Sequence, residues 1–234
     1  MKTTVLFDLD GTLLPMDQDK FIQSYLGRMA KKLAPHGYNP DLLVKGIWKG
    51  TGAMVQNDGA KTNEEVFWNV FNAVMGRDCR SEESLFLDYY RNDFQQVAQD
   101  CGFDSRASDV IAEIHQMGFR TVLATNPLFP AIATQSRVKW AGLNIDDFEL
   151  ITTYENSRFC KPNLEYYREI LAKLNLAPEN CIMVGNDVSE DMVARELGMD
   201  VFLLTDNIIN KKNIDIGQYP HGSFPELLKF IREL

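Results

Sequence analysis

The sequence predicts an α/β protein: a parallel sheet with helices on both faces, interrupted just after its first strand by an all-helical insertion. Three observations lead there. Thr4-Val5-Leu6-Phe7 is a short apolar run cut off by acids and a glycine, the pattern of a buried strand. From about Asp17 to about Cys101 the chain reads as almost wholly helical. From Ser105 onward, helical segments alternate with short apolar strands, and such alternation implies a parallel sheet covered on both faces.

The elements follow in order. In the insertion, Phe21, Ile22, Tyr25, Leu26 and Met29 recur at helical spacing, as do Val66, Phe67, Val70, Phe71 and Val74. Thr62-Asn63-Glu64-Glu65 supplies a cap and an acidic first turn for the second of these helices. Ser81-Glu82-Glu83-Ser84 is expected to do the same before Leu85. Beyond it, helix 107–117 leads to strand 119–124, helix 130–141 to a weaker strand 148–152, and helix 164–174 to strand 181–184. Helix 190–197 then precedes strand 201–204, and helix 225–234 closes the chain. The expected division is residues 1–16 with 102–234 as the α/β core, and 17–101 as the helical insertion.

Composition narrows the function. The chain has 234 residues, and 24 basic against 33 acidic residues give a net charge of −9. An acidic balance argues against binding to nucleic acid or an anionic membrane, which needs a basic face. It leaves room for a small anionic substrate, since a metal ion and one or two lysines reverse the field locally. Cys79, Cys101, Cys160 and Cys181 form no C-x-x-C pair, so free thiols in a reducing compartment are expected. His36, His115 and His221 lie far apart and read as structural or surface residues. The start is too short for a signal peptide, and no apolar run approaches the ~20 residues of a membrane helix. A cytoplasmic location is the resulting expectation.

The chemistry-bearing residues gather at strand ends. Asp8 and Asp10, in Asp8-Leu9-Asp10-Gly11-Thr12, end the first strand, where buried carboxylates are costly unless used. Spaced by two, they serve one site only if the chain turns there, and Gly11 permits the turn. Thr125-Asn126-Pro127 ends the strand through Leu123-Ala124 and offers a hydroxyl and an amide to an anion. Lys161-Pro162 follows the weaker strand, with proline expected at the first helical position and the lysine at the helix entrance. Gly185-Asn186-Asp187-Val188-Ser189-Glu190-Asp191 follows strand 181–184, placing Asp187 in the loop and Asp191 in the first helical turn. Each feature alone is an ordinary turn, cap or solvated charge. Together, in this order and at strand ends, they mark the site of an open α/β sheet.

On these four motifs the chain resembles the haloacid dehalogenase-like superfamily, in its phosphatase branch with a helical cap inserted after the first strand. The resemblance spans nearly the whole chain and implies a Rossmann-like sheet. It departs at Asn186, where many relatives carry an acid, and this touches only an outer contact of the metal. The residues suit the chemistry so implied. Phosphate monoesters hydrolyse so slowly unaided that enzymes supply up to ~10²¹-fold. Asp8 is the expected nucleophile, forming an aspartyl-phosphate, and Asp10 the acid that protonates the leaving alcohol and then the base for water. Asp8, Asp187 and the main-chain carbonyl of Asp10 are the expected oxygen ligands of Mg²⁺. Thr125, Asn126 and Lys161 are expected to hold the phosphate oxygens, with Asp191 orienting Lys161 or the metal shell.

The reading is therefore a Mg²⁺-dependent phosphatase acting on a small phosphorylated metabolite. A phosphosugar mutase shares Asp8 and Asp10 and is the alternative. A 2-haloacid dehalogenase fits less well, because relatives that displace halide generally lack the second acid, and a phosphonate-cleaving enzyme is expected to depart from the same position. A non-catalytic binding protein fits least. In the cap, Lys45-Gly46-Ile47-Trp48-Lys49-Gly50-Thr51-Gly52 reads as a helix break, with Lys45, Trp48 or Lys49 expected to reach the leaving group. The oligomeric state is not legible.

Overall fold

The computed structural model describes residues 2–234. Its sheet has five strands: β1 (Thr4–Phe7), β2 (Arg120–Leu123), β3 (Cys181–Gly185), β4 (Asp200–Leu204) and β5 (His221–Gly222). They lie in the order β2-β1-β3-β4-β5, and each pairs in parallel with its neighbours. From β1, an inner strand, the chain goes first to β2 on one side, then crosses to β3 on the other. Strand order therefore reverses between β1 and β3, and the crevice at their carboxyl ends is where such sheets bind ligands.

Strand alternation divides the core in two. Val5 and Phe7 join Ile182, Val184, Phe202 and Leu204 on one face, under α5 (Arg106–Gln116) and α8 (Phe224–Arg232). Leu6 joins Val122, Met183, Val201 and Leu203 on the other, under α7 (Leu164–Leu174). Burial of both faces explains why the strands read as unbroken apolar runs.

The insertion holds α1 (Gln18–Leu33), α2 (Pro40–Val55), α3 (Asn63–Met75) and α4 (Glu83–Arg91), followed by 3-10 turns over Asp93–Asp100. These elements pool Phe21, Tyr25, Met29, Trp68, Phe71, Phe86, Tyr89 and Phe94 into a cluster of their own. The chain leaves and re-enters the sheet side by side: Met16 bridges Cys101, and the Gly102 amide donates to the Pro15 carbonyl at 2.7 Å. Thr62 and Glu65 form the expected capping box at the start of α3.

Several expectations need correction. Segment 148–152 is not a full strand. It lies along the outer edge of β2 with a single bridge, Leu123 to Ile151, and the Asn156 turn then carries the chain off the sheet. β5 is too short to have left a pattern in the sequence. Residues expected to form helix 190–197 are 3-10 turns over Met192–Leu197. Ser81 does not cap α4, because its hydroxyl donates to the Asp78 carbonyl instead. Pro162 does not open a helix: α7 begins at Leu164, capped by the Asn163 side chain on the Glu165 amide at 3.0 Å. Segment 45–52 is no helix break but the body of α2. There Gly46 and Gly50 bring α2 against α3, where a Cβ would stand 2.9 Å from the Phe71 ring and 2.6 Å from that of Phe67.

Candidate active site

β1 delivers Asp8 to the crevice and the chain turns at once. Gly11 takes φ +87°, a conformation only glycine adopts without strain, and a Cβ there would collide with Asn186. The turn brings Asp8 and Asp10 to one cavity of about 290 Å³, which Asp187, Glu190 and Asp191 also line.

Asp8 is 8% exposed and held from two sides. Lys161 donates to its Oδ1 at 2.8 Å, and the Thr12 hydroxyl donates to its Oδ2 at 3.1 Å. Lys161 is itself 1% exposed and also donates to Asp191 Oδ1 at 2.6 Å. Burial alone would favour the neutral amine, but Asp191 and Asp8 outweigh it and hold the ammonium well above its ordinary range. Burial pushes the Asp191 carboxyl upward, against Lys161, with Asp8 adding to the rise. Asp191 is thus no helix-dipole partner. Its Oδ2 accepts the Asp187 amide at 2.9 Å, and Gly185 has no side chain because a Cβ there would collide with that carboxylate.

Asp10 is set apart by an arginine that the sequence did not single out. Arg137, on α6 (Ala131–Trp140), is fully buried and pairs with Asp10 Oδ2, while its guanidinium stacks 4.4 Å from the Phe129 ring centroid. The other oxygen of Asp10, Oδ1, is buried with no hydrogen-bond partner among the described residues. Burial raises the Asp10 pKa above the usual carboxylate value; Arg137 opposes this and the charge of Asp8 assists it. Nothing in the sequence distinguishes Arg137 from Lys139 on the same helix.

Thr125 is buried just beyond β2, and its carbonyl accepts from Thr152 Oγ1 at 2.6 Å and Tyr166 Oη at 2.9 Å. Asn126 ties two loops together: its Oδ1 accepts the Lys161 amide at 3.3 Å and its Nδ2 donates to Glu190 Oε2 at 3.0 Å. Glu190, also unassigned from the sequence, is held above its ordinary pKa by burial. Asn186 Oδ1 stands 3.1 Å from the Thr12 hydroxyl, which shares its one proton between Asp8 and Asn186, and Asn186 Nδ2 donates to the Asn207 carbonyl at 2.6 Å, so Asn186 buttresses the turn. Asp187 Oδ1 accepts the amides of Ser189 and Glu190 at 2.7 and 2.9 Å; its Oδ2 makes no hydrogen bond among the described residues.

Among the described residues, no three His, Cys, Asp or Glu side chains converge on one point as a metal site. The set expected from the sequence asks for less: two carboxylates and one main-chain carbonyl. Its donors are all oxygen, the free Oδ2 of Asp187 belongs to it, and the acids lining this end of the cavity outnumber its cations. That chemistry fits a hard divalent ion.

The cap closes the cavity from above. Trp48 and Thr51 of α2 line it; Lys45 and Lys49 do not, and point to solvent, which corrects the expectation that either reaches the leaving group. All four cysteines are free. No helix among the described residues is long and apolar enough to cross a membrane.

Comparison with known proteins fits this geometry. Residues 2–198 match the family described as haloacid dehalogenase-like hydrolase. A phosphoglycolate phosphatase from Colwellia psychrerythraea is 26% identical over 205 residues, 87% of this chain and 84% of that protein. A glyceraldehyde 3-phosphate phosphatase from Methanocaldococcus jannaschii is 23% identical over 232 residues, 98% of this chain and 97% of its own. Among solved structures, a 2-haloacid dehalogenase from Pseudomonas syringae superposes with a TM-score of 0.64 at 18% identity, covering 100% of this chain and 99% of that one. At that identity the likeness speaks for the fold alone.

Proposed function

The chain belongs to the haloacid dehalogenase-like hydrolase family, and from that premise we propose that it is a Mg²⁺-dependent phosphatase of a small-metabolite phosphate monoester, working through an aspartyl-phosphate. One observation carries the reading: Asp8 sits at the sheet's switch point, pinned by Lys161 and Thr12, with Asp10 beside it on the same cavity. Residues 17–101 act as the cap over that site. The phosphatase names of the two sequence relatives support the reaction class.

In this mechanism Lys161 and Thr12 fix the Asp8 carboxylate so that one oxygen attacks phosphorus in line with the leaving alcohol. Lys161, held as the ammonium by Asp191 and Asp8 against its burial, then assists the transferring phosphoryl oxygens together with Thr125 and the amides near Asn126. Asp191 is a positioning residue that keeps the ammonium in place. Asp10 holds its proton on the unpartnered Oδ1 while Arg137 grips Oδ2, so the acid keeps one orientation. It gives that proton to the leaving oxygen and then takes one from the water that cleaves the intermediate. Asp8, Asp187 and the Asp10 carbonyl would hold Mg²⁺, which would supply charge neutralisation between the carboxylate and the incoming phosphate.

A phosphosugar mutase would need a cation on the cap to hold a second phosphate, and no Lys or Arg of the cap lines the cavity among the described residues. Phosphate release from an alkyl ester tests the proposal. Chelator should abolish it, Mg²⁺ restore it and Ca²⁺ restore it poorly, with Asp187→Ala raising the Mg²⁺ requirement. Full activity in excess chelator would sink the metal-assisted phosphatase and revive the dehalogenase reading.

A further inference from the structure

We infer that the leaving group of the substrate carries a planar aromatic ring system, and that the cap is built to stack on it; this rests on the phosphatase reading and names its substrate class. The cavity over Asp8 is two-sided in character. Its lower end is acidic and hydrogen-bonded, whereas its upper wall is apolar: the rings of Phe21, Tyr25, Phe67, Trp68, Phe86 and Tyr90 stand among the aliphatic side chains of Ile22, Leu26, Met29, Ile47 and Leu87. The Tyr25 and Tyr90 hydroxyls bond each other at 2.9 Å, so their polar ends are already matched and their rings are what the cavity meets. Leu128, Phe129 and Pro130 continue the apolar surface from the core side.

Charge excludes the small acidic alternatives. The cap contributes one charged residue to the wall among the described residues, Glu83, and the only basic lining side chain is Lys211 from the core. A carboxylate or second phosphate on the leaving group would thus lie against rings and a like charge, with no guanidinium or ammonium above it. The cap's polar groups are sparse: Gln18, Thr51 and the Trp68 indole N–H, which lies by the Tyr154 hydroxyl without a proper hydrogen bond. Such groups can orient a heterocycle but cannot neutralise an anion.

Size points the same way. A cavity of about 290 Å³ lies near the lower end of the ~300–1,000 Å³ of pockets that enclose drug-sized ligands. A two- or three-carbon leaving group would leave most of the cap's apolar wall uncovered. Trp48 on α2 is 51% exposed although it lines the cavity, so its indole forms a rim that a bound ring would cover. Trp68 packs edge-on with Phe67 and Phe86, the arrangement a further ring entering the cavity would extend.

A series of alkyl esters with leaving alcohols of similar acidity tests this with the full-length chain and Mg²⁺. Ethyl, phenethyl and naphthylethyl phosphate would be compared with phosphoglycolate and glyceraldehyde 3-phosphate. Specificity, as kcat/KM, should rise about 100-fold from ethyl to naphthylethyl, the effect of burying one large apolar group. Both small polar esters should remain near ethyl phosphate. Trp48→Ala should remove about tenfold of that preference, and Thr51→Trp, which fills the cavity from α2, should abolish it. Far-ultraviolet circular dichroism and a urea midpoint like the parent's report that both variants are folded, and the ratio of naphthylethyl to ethyl kcat/KM in each is the readout. A flat series, or phosphoglycolate at or above the naphthylethyl ester, overturns the substrate class while the phosphatase reading stands. Release from no ester at all overturns both.

Discussion

The floor and the roof of one cavity are built on opposite principles. On the floor, Lys161 bridges Asp8 and Asp191, Arg137 grips Asp10, and Thr12 and Asn186 lock the turn, so nearly every side chain is committed to a polar partner. On the roof, rings from α1, α3 and α4 face the same space and serve at once as the cap's own core. The floor specifies a reaction through fixed charges that need no reorganisation as phosphate is transferred. The roof specifies a shape through non-directional contacts. A change to the floor should therefore alter rate whatever the substrate, and a change to the roof should alter which substrate is favoured.

Arg137→Met is the most disruptive substitution expected on the floor apart from the nucleophile. It leaves Asp10 without its buried partner, and breaking such a pair costs about 3 kcal/mol, measurable by urea unfolding. Arg137 also pulls the Asp10 pKa down, so its loss should send that pKa further up. Because the acid must be protonated to act, the high-pH fall in alkyl-ester turnover should move to higher pH. An unchanged pH profile at reduced stability would make Arg137 merely structural.

Gly50→Ala probes the roof with a smaller effect. The added methyl would stand 2.6 Å from the Phe67 ring, which must give way, and that ring lines the cavity. Overpacking of this kind costs about 1–3 kcal/mol. KM for bulky esters should rise while kcat for ethyl phosphate holds. Equal losses for every ester would mean that floor and roof are not separable as described.

The two regions were unequally legible. Asp8, Asp10, Thr125, Lys161 and Asp187 stood out as a set, because each is ordinary alone but their order at successive strand ends is not. The sheet was legible because both its faces are buried. Arg137 was not, since a basic residue on a mixed-polarity helix gives no sign that it turns inward. Gly46 and Gly50 suggested a break because glycine weakens helices in general, yet here close approach to Phe71 and Phe67 repays it. The aromatic roof was visible only as helical periodicity, because residues that fill a core and residues that line a cavity have the same spacing. Segment 148–152 had the composition of a strand but lay at an edge, with one neighbour to pair with.

The central claim is that Asp8 carries the phosphoryl group and Asp10 moves the protons. Asp10→Asn should still be phosphorylated by p-nitrophenyl phosphate, whose leaving group needs little protonation, yet lack the base for the second step. Rapid quenching with Mg²⁺ present should give a burst of p-nitrophenol, and peptide mass spectrometry should find phosphate on Asp8, with neither burst nor phosphate in Asp8→Asn. A phosphorylated peptide that excludes Asp8, or undiminished turnover by Asp8→Asn, would contradict the account.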